Sequence, residues 1–304
     1  MDILEIQHVT KTYAAHVALD DVSMNIPQAS VFGLLGPNGA GKTSLIRTIT
    51  QITAPDKGQI LFEGKALQAN HVQEMGYLPE ERGLYKKMEV GEQAIYLARL
   101  KGMTRQEAIK RLKGWFEKFE MQTWWNKKVE ELSKGMQQKV QFIVTVLHEP
   151  KFLILDEPFT GFDPINAELV KNELLALSKK GATIMLSTHR MESVEELCSH
   201  IALINRSKKI LDGSVNEIRK QYKSNTYEVA YLGNKIGFTN ALWTGFELLD
   251  VREESDHSLA RVKMMDNLSP NDLLSRLLPE VQLLGFREII PSMNDIFIKK
   301  VGEN

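Results

Sequence analysis

With 304 residues, 43% of them hydrophobic and 25% charged, the chain is large enough for one sizeable domain with an appendage, and wholesale disorder is excluded. Lys plus Arg total 38 against 39 Asp plus Glu, a net charge of −1; no strong field exists for nucleic acid or anionic lipid, and no nucleic-acid partner is expected. The single cysteine, Cys198, excludes an internal disulfide and a cysteine-rich metal site, so a reducing cytoplasmic setting is the expectation.

The opening residues Met1-Asp2-Ile3-Leu4-Glu5 lack the basic start and apolar run of a secretory signal. The longest uncharged stretch, residues 22–41, is roughly 20 residues and long enough to cross a bilayer. It contains Pro27, Gly36, Pro37, Asn38 and Gly39, which read as turns between strands, so no membrane span is expected. Alternating apolar and polar residues over 4–9 and 22–27 predict half-buried antiparallel strands. The continuous apolar run 31–35 predicts a strand buried on both faces of a largely parallel sheet. A glycine-rich turn and a helix over 43–52 follow, with further strands at 59–64 and 75–79.

From about 90 to 146 the chain is dense in Glu, Lys, Arg, Ala and Leu at helical spacing, which predicts a helical insert delimited at about 86–147. Buried strands return at 152–156, 183–187 and 201–204, alternating with helices at 164–180 and 191–198, the order of a doubly wound parallel sheet. After Ile210-Leu211-Asp212-Gly213 a charged connector over 218–224 leads into a tail of different character. Strands at 227–231, 246–251 and 259–264, a helix at 271–278 and a last strand–helix pair predict a small C-terminal α+β domain. The expected division is 1–220 and 221–304.

Gly36-Pro37-Asn38-Gly39-Ala40-Gly41-Lys42-Thr43, followed by Ser44, fits G-x-x-x-x-G-K-[ST] between a buried strand and a helix. In such a loop glycines let successive backbone N–H groups face one anion, with a helix N-terminus behind them. Lys42 is expected on the β- and γ-phosphates of ATP and Thr43 on Mg²⁺. The apolar strand Phe152-Leu153-Ile154-Leu155 ends in Asp156-Glu157, where ligands of such sheets bind. Asp156 is expected to hold Mg²⁺ and Glu157 to orient or deprotonate the attacking water. An acidic pair standing alone reads instead as a helix cap or a solvated turn.

With both elements in place, the chain resembles the nucleotide-binding subunit of an ABC transporter, and further motifs occur in that family's order. Leu132-Ser133-Lys134-Gly135-Met136-Gln137-Gln138-Lys139 resembles the family signature, and Thr160-Gly161-Phe162-Asp163 resembles the loop after the acidic pair. Ser187-Thr188-His189 matches the strand end that carries a switch histidine. Tyr13 stands where an aromatic residue stacks on adenine, and Gly76-Tyr77-Leu78-Pro79-Glu80 where the core joins the insert. The resemblance covers about residues 3–215. It implies an α/β fold: a P-loop NTPase core with a mainly parallel sheet, an antiparallel β subdomain and a helical insert. It also implies Mg²⁺-dependent ATP hydrolysis, with Glu157, His189 and Lys42 as catalytic residues. Thr43 and Asp156 would hold the metal, with Glu80 as a further candidate. Two copies would pair head to tail around two ATP molecules, Ser133, Gly135 and Met136 facing the partner's nucleotide and Asp163 lying in the loop at the dimer contact. The implied partners are membrane permease subunits, with this chain attached at the inner face of the cell membrane.

Two departures from the family pattern stand out. Glu80 occupies the position usually taken by Gln, so it either binds metal or points away from it, and a coupling role is expected of it. Lys134 and Met136 stand where Gly and Gln are common. The stretch Glu81-Arg82-Gly83-Leu84-Tyr85 lies where a permease coupling helix docks in transporters, a plain solvent loop being the alternative. The tail, ending Ser292-Met293-Asn294-Asp295-Ile296-Phe297-Ile298, resembles the C-terminal extension of ATPases serving bacterial type-2 exporters, including the sodium-efflux subgroup. A single cassette and a near-neutral charge favour transport over the alternative, a soluble ABC-type ATPase acting on a macromolecular complex. Trp124-Trp125 reads as insert core or as a partner patch.

Overall fold

Apolar–polar alternation in the first quarter builds a long hairpin: β1 (Asp2–Tyr13) pairs antiparallel with β2 (His16–Pro27). Both strands outrun the predicted 4–9 and 22–27. Register shifts, together with positive φ at His8 and Asp21, break the period of two while the strands stay paired, so alternation alone hides the extensions. The computed structural model describes residues 1–304 apart from Ala15, Arg82, Trp243, Asp266, Asn267 and Asn304. It contains two units, Met1–Val215 with Lys300–Asn304, and Asn216–Lys299.

In the first unit, β3 (Val31–Leu35) is buried throughout and leads through the glycine-rich turn into α1 (Lys42–Ile49). The helix stops short of the predicted Ile52, because Gln51 takes a left-handed φ of 59° and Ile52 is exposed. β4 (Lys57–Phe62), β5 (Lys65–Ala66) and β6 (Met75–Leu78) follow. The insert holds α2 (Val90–Leu100), α3 (Arg105–Lys118) and α4 (Lys134–Val146). Thr104 and Glu107 form a capping box that starts α3. Ser133 starts α4 by accepting the Met136 N–H at 3.3 Å. The core resumes with β7 (Phe152–Asp156), α5 (Pro164–Lys179), β8 (Thr183–Ser187), α6 (Met191–Leu197), β9 (His200–Asn205) and β10 (Lys208–Ser214).

Two sheets result. The antiparallel one runs β2-β1-β4-β5, and the six-stranded one runs β10-β9-β3-β8-β7-β6, parallel except for β9 with β10. Leu4 and Ile6 of β1, Leu45, Ile46 and Ile49 of α1, and Phe32, Leu34 and Ile154 of the parallel sheet share one buried cluster. Each such side chain contributes about 1.5–3 kcal/mol on burial, so α1, and with it the turn before it, is held from both sides. The insert has an aromatic core in which Phe142 lies 5.9 Å from Phe119 and edge-on to Trp115 at 6.1 Å. Trp125 packs edge-on to Phe116 at 5.5 Å and covers Gly91, where a Cβ would fall 2.6 Å from the indole. Trp125 is thus packed into the insert.

The connector predicted over 218–224 is a helix for most of its length, α7 (Val215–Gln221). The second unit comprises β11 (Thr226–Leu232), α8 (Lys235–Ala241), β12 (Phe246–Glu253), β13 (Ser258–Met264), α9 (Pro270–Leu277), β14 (Gln282–Glu288) and most of α10 (Met293–Gly302). Its sheet runs β12-β13-β11-β14, every pair antiparallel, which is the split βαβ arrangement. α8 escapes the sequence reading because Gly237, Thr239 and Asn240 are poor helix formers. Phe238 holds the helix in place by stacking on the buried Tyr231 at 4.2 Å. Among the described residues no helix is long and apolar enough to cross a membrane.

Candidate functional site

β3, β7 and β8 are parallel neighbours, so the loops leaving their carboxyl ends converge. A cleft of about 390 Å³ opens there and brings Lys42, Thr43, Asp156, Glu157 and His189 together with Tyr13 and Glu80. Asn38, Gly39, Gly41 and Ser44 of the predicted loop line it as well, as do Thr160 and Ser187 from the two later motifs. Gly36 and Ala40 are buried, and Pro37 is half-buried. His16 and Ala18 also line the cleft but are not among the residues picked out from the sequence. The available signal was their place on the strand that follows Tyr13 through the hairpin turn.

The turn cannot be built with ordinary residues at two points. Gly36 has φ 150°, and a Cβ there would fall 2.2 Å from the Ile204 carbonyl oxygen. Gly41, the N-cap of α1, has φ 116°, and its Cβ would fall 2.4 Å from the Ala18 carbonyl oxygen. The close backbone approach seats the helix N-terminus against β2. Lys42 folds back across this loop, donating from Nζ to the carbonyl oxygens of Gly36 at 2.7 Å and Pro37 at 3.1 Å. Burial holds its ammonium below the usual lysine range, while the carboxylates of Asp156, Glu157 and Glu80 act in the opposite direction.

Asp156 ends β7 and is buried, which raises its carboxyl above the usual range; the charges of Glu80 and Glu157 add to the rise, and Lys42 opposes it. Glu157 leaves the strand in the left-handed region at φ 49°, a conformation that costs a side-chain-bearing residue on the order of 1 kcal/mol. Its N–H donates to the Ser187 carbonyl at 2.8 Å and ties the end of β7 to the end of β8. Its carboxylate then reaches the next loop: Oε1 accepts from the His189 N–H at 3.0 Å and lies 2.7 Å from Nδ1, and Oε2 accepts from Thr188 Oγ1 at 3.3 Å. Glu80 is exposed and, rather than pointing away, lines the cleft. Tyr13 is 38% exposed, and the Lys11 ammonium stands 5.5 Å from its ring centroid.

The signature residues lie apart from these. Ser133 and Lys134 are exposed at the start of α4, with Gly135 and Met136 half-buried beside them. A Cβ on Gly135 would lie 3.2 Å from the Gly161 carbonyl oxygen, so the α4 start abuts the loop after the acidic pair. Asp163 closes that loop as the N-cap of α5, accepting the Asn166 N–H at 2.9 Å; this bond and one from the Asn166 side chain hold its carboxyl below the usual range. Of the stretch 81–85, Arg82 lies outside the described residues; Tyr85 is exposed and packs edge-on to Tyr96 at 6.4 Å.

The residues present fit a magnesium nucleotide. The Thr43 hydroxyl and the Asp156 and Glu80 carboxylates are hard oxygen donors of the kind Mg²⁺ takes. The loop amides and Lys42 suit phosphate oxygens, and a side chain at Gly36 or Gly41 would displace the loop by striking the Ile204 or Ala18 carbonyl. A larger cleft of about 590 Å³ between α3 and α5 holds none of these groups; within it Lys118 pairs with Glu173 and Arg111 with Glu149.

Comparison with known proteins agrees. Residues 19–160 match the family model described as ABC transporter, and residues 213–301 match that described as ATP-binding protein DrrA1-3-like, C-terminal domain. The chain is 42% identical over 304 residues to an uncharacterized ABC transporter ATP-binding protein, YhaQ, of Bacillus subtilis, with 99% of each chain covered. It is 32% identical over 219 residues to Nod factor export ATP-binding protein I of Cupriavidus metallidurans, covering 71% of this chain and 72% of that one. A solved ATP-binding subunit of an ABC transporter aligns at a TM-score of 0.68 and 29% identity, covering 72% of this chain and 93% of the other.

Proposed function

The chain belongs to the family of ABC transporter ATP-binding proteins, and from that premise we propose that it powers an exporter, coupling ATP-driven closure of a homodimer to movement in a separate membrane permease. Family and fold make it a P-loop ATPase that binds ATP and Mg²⁺. The observation that carries the catalytic reading is the single cleft in which Lys42, Thr43, Asp156, Glu157 and His189 meet.

In this reading Lys42 and the amides of the loop from Gly36 to Ser44 hold the phosphates, and Tyr13 stacks on the base. Thr43 and Asp156 ligate the metal, with Glu80 as an added oxygen. The bound metal supplies charge neutralisation at the β- and γ-phosphates. Glu157 orients and deprotonates water, and His189 senses the γ-phosphate. Ser133, Gly135 and Met136 of a second copy complete the site from the other side, where a hydroxyl and a helix N-terminus suit an anion. Asp163 sits at the contact between copies.

Export is favoured by the relative named for Nod factor export. The tail segment from Ser292 to Ile298 keeps the sodium-efflux subgroup within this reading. The chain works from the cytoplasm at the inner membrane face, and the permease selects the substrate. Recovery of the tagged chain from native membranes tests this. Co-purification of a polytopic membrane protein whose presence changes ATP turnover is the expected result. Recovery with ribosomes or nucleic acid and without any membrane protein would overturn the transport role.

A further inference from the structure

Gln141, two turns into α4, is 4% exposed. Its Nε2 donates to the carbonyl oxygens of Pro79 and Glu81, each at 3.4 Å, so one side-chain amide bridges the residues on either side of Glu80. Its Oε1 is buried and has no hydrogen-bond partner among the described residues. A methionine would fill similar space without an unpaired polar atom, so the glutamine is unfavourable for packing, and its gain lies in the two donated bonds. Both bonds are at the long end for N–H to oxygen, and it is the pair of them together that ties the segment to α4. Glu80 is exposed at the cleft, so the backbone that carries it bears on where its carboxylate stands.

We propose that Gln141 is a positioning residue for Glu80: it clamps the chain on both sides of Glu80 and so fixes where that carboxylate stands relative to Lys42 and Asp156. The inference rests on the ATPase and dimer reading given above. α4 begins at Ser133, the end that meets the second copy's nucleotide in that reading, and Gln141 lies on the same rigid helix about 12 Å further along. A displacement of α4 on dimer closure draws the Pro79 and Glu81 carbonyls with it. The Glu80 charge, which already acts on both Lys42 and Asp156, then shifts within the cleft. Contact with the partner's nucleotide at one end of the helix is thereby registered at the metal side of this copy's own site.

Steady-state ATP hydrolysis by the full chain, its Gln141→Met and Glu80→Gln variants and the double variant tests the assignment. Gln141→Met is expected to lower kcat about three- to tenfold while KM for Mg-ATP stays within about twofold, as for loss of a group that acts after binding. Its thermal midpoint is expected to hold or rise, since the unpaired oxygen is gone. In the Glu80→Gln background the same change is expected to move kcat by less than about twofold, because the clamp no longer places a charge. An unchanged kcat in Gln141→Met, or an equal fall in both backgrounds, overturns the proposal, the second by making the effect merely structural. Wild-type chain that binds ATP and never hydrolyses it would instead overturn the underlying ATPase reading.

Discussion

The Nδ1 of His189 lies 2.7 Å from Oε1 of Glu157, and the His189 amide donates to the same oxygen at 3.0 Å. A carboxylate only accepts, so Nδ1 carries the proton, and in a neutral ring Nε2 is left as an acceptor. In this arrangement the histidine orients Glu157. To donate to a phosphate oxygen through Nε2 it must leave Glu157 or take a second proton, so the two residues act as one unit. Glu157→Gln keeps the shape and removes the base. It is expected to lower kcat by about 10²–10⁴-fold while leaving ATP affinity within a few-fold. Phosphate release and equilibrium nucleotide binding check both halves. Chromatography with ATP and Mg²⁺ is expected to show a stable dimer that the wild type forms only in passing. Turnover at the wild-type rate would remove Glu157 from the base role.

Gly41 is one of the two points where the cradle admits no side chain. Alanine there must hold φ near 116° with its methyl 2.4 Å from the Ala18 carbonyl oxygen, so either α1 or β2 has to move. Gly41→Ala is expected to cost about 2–4 kcal/mol of stability and to abolish detectable ATP binding. Gly39 offers the control. Its φ is 77°, but an added Cβ meets nothing within 4 Å, so Gly39→Asn is expected to bind ATP with a loss no greater than about tenfold. Urea melts and nucleotide titrations separate the two. Equal behaviour of the variants would show that the carbonyl contact has no weight.

The contrast between these positions marks what the sequence can and cannot disclose. β3, β7 and β8 are read to the residue because each is a short apolar run with a sharp end: the glycine turn after β3, Asp156 in β7, and the flanking Thr183 and Ser187 in β8. The loop at 36–43 is legible because its chemistry demands fixed residue types at fixed spacing. The hairpin of β1 and β2 is underestimated where bulges at His8 and Asp21 break alternation, and α8 is missed because tertiary packing of Phe238 outweighs local propensity. His16 and Ala18 reach the cleft only through the hairpin turn, a relation that no spacing rule encodes. Gln141 is hidden for a similar reason: its partners Pro79 and Glu81 lie about 60 positions earlier in the chain.

Tyr13 stands at the rim of the cleft with the Lys11 ammonium 5.5 Å from its ring centroid. If the ring stacks on the base, its loss removes about 0.5–1.5 kcal/mol of binding. Tyr13→Ala is then expected to raise KM for ATP about two- to tenfold with kcat little changed, while Tyr13→Trp restores affinity. Comparison with triphosphate alone is decisive, because a variant that weakens ATP and triphosphate equally has not lost a base contact.

His148, beyond the C-terminal end of α4, provides a stability switch remote from the cleft. Its Nε2 lies 3.2 Å from the Met75 carbonyl oxygen, which only accepts, so the proton of the neutral ring is on Nε2. Nδ1 is buried without a hydrogen-bond partner among the described residues, and the Lys101 ammonium donates to the same carbonyl at 2.8 Å. Burial, with the positive charge of Lys101 added, pushes the His148 imidazolium down to about 4, against 6.5 for a free histidine. The folded value is the lower one, so between about pH 6.5 and 4 the unfolded chain binds the proton and the folded chain does not. Stability from this group is complete above pH 6.5 and falls as pH drops through that window. The loss reaches on the order of 3 kcal/mol by pH 4, less whatever solvent screening removes at the partly exposed edge of the ring. Carboxylates titrate in the same range, so the measure is a difference between proteins. Urea unfolding of wild type and His148→Leu at pH 7, 5.5 and 4.5 is expected to show the variant within about 1 kcal/mol of wild type at pH 7. It is also expected to gain on wild type steadily toward pH 4.5, because leucine cannot take up the proton that destabilises the fold. Parallel curves would mean that the ring is already charged in the native state beside Lys101, contrary to the burial and the orphaned Nδ1.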